Sequence, residues 1–227
     1  MPELFQAHAD WLQERTGRIT ASDVHKIMGR GRAKDKYFSD QGETYLRCKI
    51  GELLTGEIEN GGRANTLSME WGASHEHEAI ARFEKETGRA VQEYFGVTNP
   101  KFFALDLFSG GSPDALTDTH VIEIKCPFNR GEHVRHLEDV YDTESLKQIA
   151  PEYYWQIQMN LLACERNAAY FISYDPRVIY HKLQFLCIEI DRVHEDIALL
   201  EERLMEAKKY MNSRIEVLRE NFQTEQA

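Results

Sequence analysis

Ser112-Pro113-Asp114 and, after eight further residues, Glu123-Ile124-Lys125 put two carboxylates and a lysine on a segment with the pattern of a short β-hairpin. The polar run Thr117-Asp118-Thr119-His120 supplies the turn between them. Successive side chains of a strand point to opposite faces, so Glu123 and Lys125 share one face and Ile124 takes the other. Asp114 lies on the preceding arm. Two acidic side chains make an oxygen-rich cradle for a hard cation such as Mg²⁺. A lysine beside that cation can hold or activate a water, which completes the parts needed for metal-assisted phosphodiester hydrolysis. Pro-Asp and Glu-x-Lys pairs are also common in ordinary proteins, so a turn aspartate with an edge-strand ion pair stands as the bland alternative.

The arrangement resembles the PD-(D/E)xK nuclease signature. The rest of the chain is compatible with it. With 227 residues, 42% apolar and 29% charged, the expectation is one soluble domain, residues 1–227, with a substantial core. No apolar run approaches the roughly 20 residues that span a bilayer. Met1 to Asp10 carries no apolar signal region. The four cysteines, Cys48, Cys126, Cys164 and Cys187, are scattered and read as reduced thiols in a cytoplasmic protein. A net charge of −11 argues against coating DNA by bulk attraction. Arg15, Arg18, Lys26, Arg30, Arg32, Lys34 and Lys36 nevertheless cluster near the N-terminus, which suits either a local anion site or a solvated basic face.

The pattern predicts a mixed sheet flanked by helices, an α/β or α+β fold with a restriction-endonuclease-like core. A helix start is expected at Thr20-Ala-Ser-Asp23, capped by Thr20 or Ser22. Further helices are expected over Tyr37–Leu54, Leu67–Thr87 closed by Gly88, Pro151 to about Cys164, and Asp191 to about Leu218. Strands are expected over Ala90–Val97, Phe102–Phe108, the hairpin, Ala168–Tyr174 and His181–Ile190. Gly29–Lys36 and Glu57–Asn65 read as loops, and His133–Val140 as a mixed connector.

Four fragments together resemble the phage lambda exonuclease family, the YqaJ-type viral recombinases. They are Trp11-Leu-Gln-Glu-Arg15-Thr-Gly17-Arg-Ile19-Thr-Ala-Ser22; Glu70-Trp71-Gly72 with Glu76; Gly111-Ser-Pro-Asp114 through Glu123-Ile-Lys-Cys-Pro127; and Trp155-Gln156-Ile-Gln158 with Asn167-Ala-Ala-Tyr170-Phe and Tyr174-Asp-Pro-Arg177. They run from about residue 11 to 190. The resemblance implies a homotrimeric ring around duplex DNA and processive, Mg²⁺-dependent digestion of the 5′-ended strand from a linear end. It implies release of 5′-mononucleotides and a 3′ single strand handed to an annealing protein in recombination. The setting it implies is a phage or prophage protein in a bacterial cytoplasm.

Residue roles follow from the same resemblance. Asp114 would bridge metal ions, Glu123 would complete the main site, and the backbone carbonyl of Ile124 and Glu76 would add ligands. Two ions would then stabilise the attacking and leaving oxygens. Mg²⁺ is expected, with Mn²⁺ as a substitute, because every ligand is oxygen. Lys125 would orient or deprotonate the water. Arg15, Ser22 and Arg32 would form the 5′-phosphate pocket, as a hydroxyl, helix-terminal N–H groups and a guanidinium fork suit an anion. Gln156, and more weakly Gln158, would contact the scissile strand or a metal-bound water. Met69 would be the apolar wedge between terminal base pairs, a buried core methionine being the alternative. His75-Glu76-His77-Glu78 lacks the H-E-x-x-H spacing of a zinc helix. Two other readings stay open: an endonuclease or single-strand nuclease of the same superfamily, and a catalytically silent DNA-end-binding module.

Overall fold

The computed structural model describes residues 2–33, 36–58, 67–96 and 99–223. Most of the expected loop Glu57–Asn65, Lys34 of the basic cluster and Val97 lie outside those residues. Among the described residues eight helices, α1 to α8, and eight strands, β1 to β8, follow one another along the chain.

The centre is a five-stranded sheet. Its strands run in the order β2 (Glu93–Tyr94), β5 (Ala115–Leu116), β6 (His120–Lys125), β7 (Ala168–Tyr174), β8 (Phe185–Asp191). Pairing is antiparallel except between β6 and β7, which run parallel with Glu123 opposite Phe171 and Lys125 opposite Ser173. A parallel pair needs a crossover. Here it consists of three helices, α5 (Arg130–Asp139), α6 (Thr143–Ile149) and α7 (Pro151–Ala163). A smaller sheet orders β1 (Ile19–Thr20), β4 (Ser109–Gly111) and β3 (Phe103–Ala104).

The strand period divides the core in two. Val121, Ala169, Phe171 and Ile190 face one way and pack with Tyr154, Ile157 and Leu161 of α7. Ile122, Ile124, Tyr170, Ile172 and Tyr174 face the other way and pack with Ala79, Ile80 and Phe83 of α4 (Leu67–Thr87). α7 begins with Pro151, whose missing N–H costs nothing in a first turn. It touches both sheets and α8 (His194–Gln223). α3 (Asp40–Thr55) opens on Ser39, whose hydroxyl accepts from Gly42 N, and α3 and α4 close on Gly56 and Gly88 at positive φ.

Several expectations need correcting. Thr20 is in β1, and Ala21–Asp23 form a 3₁₀ turn without a side-chain cap before the four-residue α2 (His25–Met28). Phe102–Phe108 is mostly not strand. Asp106 accepts from Phe108 N and Ser109 Oγ there, a local turn that competes with the ladder. The front of His181–Ile190 is a 3₁₀ turn, and strand pairing starts at Phe185. The connector His133–Val140 is largely helix α5, capped by the Asn129 side chain on Gly131 N.

Helix α5 buries histidines where an aliphatic face would be expected. His133 Nε2 meets Leu183 O at 2.8 Å, so His133 carries its proton there, and its Nδ1 accepts from Ser173 Oγ at 2.8 Å. Ser173 Oγ can then only accept from His136 Nδ1–H, at 2.9 Å. This leaves His136 Nε2 buried with no partner. Burial, with His133, Arg135 and Lys125 nearby, lowers the His136 pKa to about 4. Its folded pKa is thus below its unfolded value of 6.5. The stabilisation is complete above pH 6.5 and is lost as pH falls toward 4, on the order of 3 kcal/mol at most. Urea titrations across that window should show the loss, and His136→Gln should flatten it. An equal acid slope in both proteins would contradict the assignment.

Candidate active site

Sheet parity sets the site. Glu123 and Lys125 sit on the α7 face of β6, the face of Val121, and Ile124 is buried on the α4 face, as the hairpin reading expects. Glu123 is fully buried. Its Oε1 accepts from Lys125 Nζ at 2.7 Å and its Oε2 from Asn160 Nδ2 at 3.0 Å. Lys125 Nζ also reaches Gln156 Oε1 at 3.2 Å and stands 4.8 Å from the Tyr153 ring centre. Gln156 and Asn160 are one helical turn apart, so both project from one side of α7.

Asp114 precedes β5. Its backbone N–H donates to Ile122 O at 3.2 Å, and its Oδ2 accepts from Ile124 N at 2.6 Å. Glu76 comes from α4, where Tyr94 Oη donates to its Oε2 at 3.4 Å. The acids feel one another. Burial, then Glu123 and Glu76, push the Asp114 carboxyl well above the usual range against the pull of Lys125. Burial also raises Glu76, with Lys125 opposing and Glu123 adding. Burial disfavours the Lys125 ammonium, but Glu123 and Asp114 outweigh it and raise the lysine pKa.

Asp114 and Glu76 line an open cleft of about 220 Å³ together with Gln156, Arg15 and Ser22. Trp11 and Ser112 line it too. Trp11 Nε1 donates to Ser112 Oγ at 3.0 Å, Arg15 Nη1 approaches the same oxygen at 3.4 Å, and the Arg15 guanidinium lies 4.3 Å from the Trp11 ring centre. Burial lowers the Arg15 pKa, with Asp23, Tyr45 and Glu52 opposing. Ser22 Oγ pairs with Thr20 Oγ1 at 3.3 Å.

Not every expected residue joins this group. Arg32 is exposed beside Asp40 and does not line the cleft. Met69 is 56% exposed at the start of α4, which rules out the core alternative, and it too is absent from the cleft wall. Gln158 turns away, donating to Asp191 O and accepting from Val193 N ahead of α8. His75 packs its ring 3.9 Å from Trp71 and is hydrogen-bonded to Ser74 and Trp71 O. Sequence reasoning assigned no role to Asn160, Tyr94 or Tyr153, to Lys101, which also lines the cleft, or to Ser112 of the quoted motif. Only Asn160 left a signal, four residues after Gln156. Its neighbour Gly111 is fixed by contact: a Cβ there would sit 2.3 Å from Asn160 Oδ1 and push the amide off Glu123.

The donor set suits a divalent cation. Three buried or half-buried carboxylates share the charge of one lysine, and all the oxygens are hard ligands. Among the described residues no group of three His, Cys, Asp or Glu is drawn together as a ready metal cage. Lys125 and Asn160 occupy both Glu123 oxygens, and Ile124 N occupies one of Asp114.

The chain belongs to the YqaJ-like viral recombinase domain family, whose domain matches residues 10–167. Two crystal structures of an alkaline exonuclease from Laribacter hongkongensis, LHK-Exo, one in complex with dAMP, superpose with a TM-score of 0.78 at 28% identity, covering 96% of this chain and 100% of theirs. A phage-related exonuclease from Haemophilus somnus 129PT shares the fold at TM-score 0.71 and 19% identity, covering 88% of this chain and 96% of its own. No curated protein matches the sequence. No helix among the described residues is long and apolar enough to cross a membrane.

Raised carboxyl pKa values are a stability statement. Asp114 and Glu76 titrate higher folded than unfolded, so their protonated forms are the ones the fold tolerates. Their contribution is intact below about pH 4 and is lost as pH rises through the raised values. With chelator present, the wild-type Tm should fall across that range. Asp114→Asn should reduce the fall and raise Tm at alkaline pH by several degrees. An unchanged pH slope in the variant would show that Asp114 is not strained by its neighbours.

Proposed function

We propose that the protein is an Mg²⁺-dependent 5′→3′ exonuclease that degrades the 5′-ended strand of linear duplex DNA. One observation carries the reading: Arg15 and Ser22 open on the same cleft as Asp114 and Glu76. An anion grip and a carboxylate cluster in one cavity suit an enzyme that reads a strand end next to the bond it cuts. An internal cutter has no use for such a grip, which disfavours the endonuclease alternative. The retained Glu76, Asp114, Glu123 and Lys125 disfavour a silent end-binding module. The family supports a recombination role, and the similarity to the alkaline exonuclease from Laribacter hongkongensis, one of whose structures holds dAMP, supports a deoxynucleotide substrate.

In this reading Arg15 holds the 5′-phosphate. Its guanidinium is already partly desolvated, so an anion gains more from it than from a solvated arginine. Ser22 donates to the same phosphate, with Arg32 approaching on DNA binding. Asp114, Glu123, Glu76 and the Ile124 carbonyl would hold Mg²⁺, with Mn²⁺ as a substitute. The ions supply Lewis-acid polarisation of the phosphodiester and lower the pKa of water. Lys125, which donates to Glu123 and Gln156, would orient or deprotonate the attacking water beside such a cation. Gln156 orients the scissile strand beside it. Met69, exposed at the rim of α4, is the wedge against the terminal base pairs.

The product is a 5′-mononucleotide and a growing 3′ overhang, passed to a single-strand annealing protein. A homotrimeric ring gives processivity by enclosing the duplex, which reconciles a net charge of −11 with a DNA substrate, because only the channel needs to be basic.

Strand-resolved digestion of a linear duplex with one 5′-phosphate and one 5′-hydroxyl end tests the reading. Wild type should shorten the 5′-phosphorylated strand in Mg²⁺ and do nothing in chelator. Glu123→Gln should lose at least about 100-fold in rate while still binding ends, and Arg15→Ala should erase the preference for the phosphorylated end. Cutting of closed circles, or release from 3′ ends, would overturn the polarity.

A further inference from the structure

The carboxylates come from two separate parts of the fold, Glu76 from α4 and Glu123 from β6, and something must set their spacing. The C-terminal half of α4 is anchored by Ala79, Ile80 and Phe83. Its first turns are open, with Leu67 and Met69 exposed. Trp71, five residues before Glu76, is the large side chain that turns inward there. It lies under the guanidinium of Arg177, 4.2 Å from the ring centre, and meets the Phe128 ring edge-on at 6.3 Å.

Arg177 reaches three elements at once. Its Nε and Nη2 grip the buried Asp175 at the end of β7 through both carboxylate oxygens, each at 2.8 Å. Its Nη2 and Nη1 also donate to Pro127 O at 2.8 Å and Phe128 O at 3.0 Å, in the turn just after Lys125. Only the planar, five-donor fork of arginine can serve a carboxylate, two carbonyls and a ring face together, and lysine cannot.

We propose that Arg177 is a positioning residue that holds α4 against the end of β6 and so sets the spacing of Glu76 from Glu123 and Lys125 for cation binding. The inference rests on the metal-dependent reading of the site, and it adds a residue that touches neither DNA nor metal. Partners that orient metal ligands from behind typically change metal affinity about 10–100-fold.

The test is direct Mn²⁺ binding, followed by electron paramagnetic resonance, on the full chain as wild type, Arg177→Lys, Trp71→Leu and Trp71→Phe. Arg177→Lys and Trp71→Leu should weaken Mn²⁺ about 10-fold. Trp71→Phe, which keeps a ring beneath the guanidinium, should recover most of that. Binding of a 5′-phosphorylated duplex end in chelator should stay within about twofold, because Arg15 and Ser22 are held by other contacts. A lower Tm with unchanged Mn²⁺ affinity would overturn the proposal and leave Arg177 a structural clamp. Absence of Mn²⁺ binding by wild type would overturn it as well. Wild-type Mn²⁺ binding without DNA digestion would instead defeat the exonuclease reading, and the variant affinities would still decide the role of Arg177.

Discussion

Three carboxylates and one ammonium are crowded into a space that water only partly reaches. Charges in such a place cannot be screened, so each must be met by a designated neighbour. Lys125 and Asn160 meet Glu123, the Ile124 N–H meets Asp114, and Tyr94 meets Glu76. Much of the fold can be read as the apparatus that delivers these partners. The parallel β6–β7 pair requires a crossover, the crossover brings α7 onto the sheet, and α7 supplies Gln156 and Asn160. The short hairpin returns Asp114 to the same place, and α4 brings Glu76 from the far face.

The two cores divide this work. Aliphatic and aromatic residues of β6 and β7 alternate between α7 and α4, so neither face of the sheet is left to solvent. The polar residues at the ends of these strands are therefore set by packing on both sides. A loop could not hold a buried glutamate at hydrogen-bonding distance from both a lysine and an amide without a comparable backing. The histidine pair on Ser173 follows the same rule, with two imidazoles, one hydroxyl and the Leu183 carbonyl satisfying one another except at His136 Nε2.

What could be read in the sequence was what repeats at short range. The alternation around Glu123-Ile124-Lys125, the helical period of α4 and the proline start of α7 all have local causes, and the structure has each of them. Tyr94 is chemically ordinary and nothing near it in the chain marks it out; Asn160 is marked only by its place one turn after Gln156, and Ser112 stands inside the motif but has partners, Trp11 and Arg15, that lie 101 and 97 residues away. Helix α5 was hidden because its buried face is histidine. The aromatic run before β4 reads as strand until Asp106 is seen to bond its own neighbours. Arg32 and Met69 owed their assignment to resemblance alone, and the cleft does not include either of them.

Ser112 carries one more implication. Its hydroxyl ties down Trp11 and Arg15, and Asp114 is only two residues further along the same backbone. On the proposed reading, the grip on the strand end and the cutting centre are therefore joined by a rigid strut of two peptide bonds. Such a strut acts as a ruler. On that reading the length of each bite is set by the short spacing between the hydrogen-bonded grip at Ser112 and the carboxylate of Asp114.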